Sequence, residues 1–98
     1  MPRIPEELIA RIKEQTDLAA VVRARGITLE KHGTGNLVGL CPFHDDKNTP
    51  NFIVTPAKGL YRCMSCGAAG NVIQFVEKFD GISFRHAVEA LAEGHWSN

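Results

Sequence analysis

The side chains with metal chemistry fall into two pairs. Cys41-Pro42-Phe43-His44 is followed, after eighteen residues, by Cys63-Met64-Ser65-Cys66, and each pair of donors is separated by two residues. That spacing lets one tight backbone knuckle aim both side chains at a point ~2.0–2.3 Å away, and two knuckles complete a tetrahedron. Three thiolates and one imidazole form a soft donor set suited to Zn²⁺, which has no geometric preference of its own. Gly67 follows the second knuckle, where the backbone has to turn sharply. With Cys41, His44, Cys63 and Cys66 as ligands, no coordination position stays open for water. The chemistry expected is structural, not catalytic.

Other uses of these residues fit less well. A redox pair at Cys63 and Cys66 calls for a βαβ context that the surrounding pattern lacks. Zinc-dependent deamination calls for His-x-Glu and a proline before the second cysteine pair. Here Arg62 precedes Cys63, and His-x-Glu does not occur. Three cysteines cannot all pair with one another, which argues against a secreted disulfide framework and for a reducing cytoplasm. His32, His86 and His95 are expected at the surface, and Asp45-Asp46 in a solvated turn.

The knuckles need elements to hold them. Leu8, Ile9 and Ile12 recur at helical spacing behind Pro5, which suits a first helical turn. Thr16 or Asp17 can cap a second short helix that buries Leu18, Val21 and Val22 and ends at Gly26. Ile27, Leu29 and Lys31 then alternate with Thr28 and Glu30, as in a half-exposed strand. Gly33 to Asn36 is a turn, and Leu37 to Leu40 a strand leading into Cys41. Phe52–Val54 and Leu60–Arg62 are two more strands, joined around Pro56 to Gly59. Beyond Gly70 the helical period returns. Asn71 with Gln74 predicts a capped helix with an apolar stripe of Val72, Phe75, Val76 and Phe79, stopped by Asp80-Gly81. Ser83 caps a last helix burying Phe84, Ala87, Val88 and Leu91. The fold expected is α+β: one domain over residues 1–98, a zinc-ribbon core at about 27–70, and short helices at both ends.

Ninety-eight residues, 44% apolar and 22% charged, make ordinary globular material with a marginal core. Structural zinc offsets that weakness, with an apparent ~10–16 kcal/mol of folding free energy at neutral pH. No apolar run approaches the ~20 residues that span a bilayer, and Met1 to Glu7 has no signal-like core. The formal net charge is zero but unevenly placed. Residues 23–62 carry Arg23, Arg25, Lys31, Lys47, Lys58 and Arg62 against Glu30, Asp45 and Asp46, whereas both flanks are slightly acidic. Any nucleic-acid binding therefore depends on local placement of cations, and is expected to be weak.

Several longer motifs carry a resemblance. Gly39-Leu40-Cys41-Pro42-Phe43-His44, Thr49-Pro50-Asn51-Phe52, Tyr61 through Ile73 and Phe79-Asp80-Gly81-Ile82-Ser83-Phe84 resemble the N-terminal zinc-binding domain of bacterial DnaG-type DNA primases. The resemblance covers residues 4–93. The chain departs from the family pattern at Lys47-Asn48-Thr49, which has one residue more, at Asn51 in place of serine, and at Leu37 in place of an aromatic residue. It implies a module that selects and holds single-stranded DNA template and assists primer initiation by a separate catalytic domain, with a replicative helicase as a possible further partner. It also implies no catalytic cluster within these residues, and nothing in the sequence argues for more than a monomer. Single strands are held by cations along the backbone and aromatic faces under the bases. Lys31, Lys47, Lys58, Tyr61 and Arg62 are the candidates for that contact, while Phe43 and Phe52 are expected to pack around the metal. The alternatives are a ribbon that docks on a catalytic domain or helicase, and a free-standing regulatory protein of a mobile element.

Overall fold

The computed structural model describes residues 4–43 and 51–94. Helices α1 (Glu6–Gln15) and α2 (Leu18–Ala24) come first, then strands β1 (Glu30–His32), β2 (Asn36–Gly39), β3 (Phe52–Thr55), β4 (Leu60–Cys63) and β5 (Ala69–Asn71). Helices α3 (Val72–Asp80) and α4 (Phe84–Glu93) follow. The strands form one antiparallel sheet in chain order. Among the described residues, no helix is long and apolar enough to cross a membrane.

The helices start where capping chemistry allows. The Asp17 carboxylate accepts from the Ala19 and Ala20 N–H groups. Asn71 and Gln74 form a reciprocal capping box at α3, and Ser83 accepts from the His86 N–H. Each satisfies donors that the helix itself leaves open. Pro5 is the cap residue of α1, one position earlier than expected. Gly81, at φ 67°, ends α3 in the left-handed region where a Cβ is costly.

Alternation sorts the sheet into two faces. Phe52, Val54, Tyr61 and Cys63 point inward and are buried, whereas Ile53, Thr55, Leu60 and Arg62 point the other way. Phe75 of α3 packs on the inner face, its ring 5.5 Å from Tyr61 and 6.1 Å from Phe52. Valines and Leu18 of α2, Ile73 and Val76 of α3, and Val88 and Leu91 of α4 complete the core. At β2 the backbone comes so close to the preceding loop that a Cβ on Gly39 would collide with the Thr28 carbonyl oxygen. Arg25 fixes α2 to the end of α3 through a two-pronged pair with Asp80, at 2.7 and 3.1 Å.

Five expectations need correction. β1 begins at Glu30, not Ile27, because buried Leu29 is spent on the core before strand pairing starts. Asn36 opens β2 and does not belong to the preceding turn, and Leu40 lies beyond that strand's end, 44% exposed. β5 had no β-branched or aromatic signal, and exists because β4 supplies its pairing partner. Phe79 stacks on Phe75 at 5.7 Å yet stays 37% exposed, and Ile73, outside the expected stripe, is buried. Phe84 is likewise exposed, since among the described residues nothing packs over the corner between α3 and α4.

Candidate metal centre and outer sheet face

Strand direction brings the two knuckles together. β2 and β4 are both antiparallel to β3, so they run the same way and finish at the same end of the sheet. Cys41 lies just past the end of β2, and Cys63 is the last residue of β4, facing inward beside Phe52. The Sγ atoms of Cys41, Cys63 and Cys66 all lie within 4.8 Å of one another, with Cys41 and Cys66 3.8 Å apart. A tetrahedral ion with ~2.3 Å Zn–S bonds holds its sulfurs about 3.8 Å apart. The three thiols fit one such ion.

The backbone is arranged to stabilise charge on these sulfurs. The Ser65 and Cys66 N–H groups donate to Cys63 Sγ, and the Phe43 N–H donates to Cys41 Sγ, each at 3.4 Å. Hydrogen bonds of this kind favour thiolate. Gly67, at φ 78°, closes the second knuckle by donating to the Cys63 carbonyl at 3.1 Å, and Cys63 donates back to the Ala68 carbonyl at 2.7 Å. A side chain at that φ would be strained.

Without metal the Cys41 sulfur opposes ionisation. Burial pushes the Cys41 thiol up to about 12, the Phe43 N–H acts against that rise, and Cys63 and Cys66 add to it. A divalent cation reverses this preference, since it binds thiolate and releases the proton. When bound, the ion supplies a cross-link between the ends of β2 and β4. His44, the expected fourth ligand, lies outside the described residues, as do Lys47 and the Asp45-Asp46 pair.

The expected DNA-facing residues do not share one surface. Arg62 is exposed on the outer sheet face, in register with Ile53 and Ala69. Together with Lys58, from the turn before β4, it lines a cleft of about 510 Å³ across that face. Lys31 is exposed but pairs with Leu37, which pairs with Val54, so alternation assigns it to the opposite face. It lines a separate hollow with Gly33, Leu37 and Pro56. The Tyr61 ring is only 3% exposed, packed among Phe43, Phe52 and Phe75 at 5.5–5.9 Å, so its faces are covered by protein and offer bases no platform. Burial raises its phenol above the usual range.

Phe52 is fully buried, and half-buried Phe43 meets the same aromatic cluster while its ring lies 5.2 Å from the Lys78 ammonium. His32 and His86 are exposed as expected, and His95 is outside the described residues. Asn36 and Thr55 are the outer-face residues that the sequence pattern did not single out. Their signal was the two-residue period of β2 and β3.

Known proteins agree with this geometry. The CHC2 zinc finger model of the DnaG zinc ribbon matches residues 4–97. A DNA primase of Halalkalibacterium halodurans is 46% identical over 91 residues, which are 93% of this chain and 15% of that protein. One from Synechococcus elongatus is 47% identical over 92 residues, 94% of this chain and 13% of that protein. The crystal structure of the Aquifex aeolicus primase, comprising its zinc-binding and RNA polymerase domains, superposes with a TM-score of 0.79 at 34% identity. That match covers 93% of this chain and 22% of the Aquifex chain. The chain thus spans about a seventh of the length of the curated relatives named here. Its fold, its three converging cysteines and these relatives place it in the CHC2 zinc-finger family, as a zinc ribbon that binds one Zn²⁺.

Proposed function

We propose that this chain is the module with which a primase holds single-stranded DNA template while a separate catalytic domain makes the RNA primer. The observation that carries this is the outer sheet face, where Arg62 and Lys58 border an open cleft with Ile53 and Leu60 between them. Cations serve the phosphates and the apolar surface serves the bases. Zinc, held by Cys41, Cys63, Cys66 and His44, keeps the strands at their spacing and takes no part in chemistry. Lys47, in the sequence segment after the first knuckle, is a further phosphate contact on this reading, and Lys31 reaches template only where the strand wraps past β1. Residues 1–98 act as one domain and a monomer in the cytoplasm, without a catalytic site of their own.

The test is fluorescence anisotropy of the zinc-loaded chain with short single-stranded DNA across a salt series. Arg62→Ala is expected to retain zinc, weaken binding, and lower the slope of log affinity against log salt by about 0.7, the value of one phosphate contact on a single strand. An unchanged slope and affinity removes Arg62 from the interface.

A second function has support of its own. Phe79 and Phe84 expose large apolar rings at the α3–α4 corner. That corner suits docking on the primase catalytic domain or a helicase.

A further inference from the structure

On the outer face, the Thr55 hydroxyl donates to Asn36 Oδ1 at 2.9 Å across the β2–β3 pair. Both residues line the same cleft as Ile53, Leu60, Lys58 and Arg62. A hydrogen bond between exposed side chains contributes little net stability, but it fixes which way the carboxamide faces. Oδ1 is engaged by Thr55, and among the described residues no hydrogen bond uses the Asn36 amide N–H groups. Beside them lie Leu60, 46% exposed, and half-buried Ile53.

We infer that Asn36, held by Thr55, reads the polar edge of one unpaired base in this cleft. Ile53 and Leu60 lie under the ring, and Lys58 and Arg62 hold the adjoining phosphates. The chemistry is complementary in three respects. A nucleobase has an apolar face, an edge of donors and acceptors, and an anion attached. Asparagine is a side chain that pairs with base edges through both its oxygen and its nitrogen. An anchored carboxamide presents donor and acceptor in one order, and therefore discriminates between bases. Lys58 and Arg62, facing phosphate, add affinity for every sequence alike.

This inference rests on the template-binding function, and one experiment separates their failures. Zinc-loaded wild type, Asn36→Ala, Thr55→Val and Arg62→Ala are titrated with labelled homo-oligomers of dA, dC and dT, with zinc content and circular dichroism confirming the fold of each. Wild type is expected to spread the three affinities by about tenfold. Asn36→Ala compresses the spread to about twofold, Thr55→Val compresses it less, and Arg62→Ala weakens all three while preserving their ratios. A spread that survives Asn36→Ala, or a wild type indifferent to base, overturns the role of Asn36 and leaves template binding standing. Wild type that binds none of the oligomers overturns both.

Discussion

The cysteines act through what they release as much as through what they hold. Cys41 and Cys63 are buried, and burial holds the Cys41 thiol in its neutral form in the absence of metal. Zinc changes that, and its binding energy becomes folding energy. Cys63→Ser is therefore expected to lose zinc and the cooperative thermal transition together, rather than leave a folded, metal-free domain. Circular dichroism with a zinc assay checks this, and a native-like melt without zinc would contradict it. These ligands were legible because their chemistry is written in spacing. The neighbours of Cys63 that donate to its sulfur were legible only as a knuckle, since backbone N–H groups have no residue signature. Tyr61 shows the opposite limit. An aromatic beside an arginine suits stacking on bases, but alternation along β4 turns Arg62 outward and Tyr61 into the core.

Among helices and strands, local chemistry decided what could be foreseen. The caps at Asp17, Asn71 and Ser83 follow from short polar side chains before apolar periods, and all three are present. Asn71→Ala removes the capping box that starts α3, the helix that brings Phe75 onto the inner face. We expect a loss of about 1 kcal/mol, read from chemical denaturation of the zinc-loaded chain, with zinc content unchanged. No loss would mean that β5 alone fixes the start of α3. Long-range pairing was harder to see. β5 is Ala69-Gly70-Asn71, weak strand formers whose conformation is imposed by β4. Lys31 and Arg62 both belong to strands, yet register puts them on opposite faces, and no spacing along the chain records that. Phe79 and Phe84 fit apolar helix stripes, but a stripe is buried only as far as a neighbour extends.

For the molecule as a whole, one ion closes a sheet that a marginal core supports. Because zinc and protons compete for the same sulfurs, zinc's contribution is fullest at neutral and mildly alkaline pH and is lost as pH falls. The raised Cys41 thiol sets the direction, since its proton is the one zinc must displace. Competition with a chromophoric chelator should show retention weakening steadily below pH 7, and retention independent of pH would contradict thiolate ligation. The formal net charge is zero, so binding must come from where cations sit, not from the field of the whole chain. That places the burden on the outer sheet face. The most direct test is an NMR titration of the ¹⁵N-labelled, zinc-loaded chain with a short single-stranded DNA. Template binding predicts salt-sensitive shifts concentrated at Asn36, Ile53, Thr55, Lys58, Arg62 and Ala69. Shifts confined to the Phe79–Phe84 corner, or none at low salt, would contradict it.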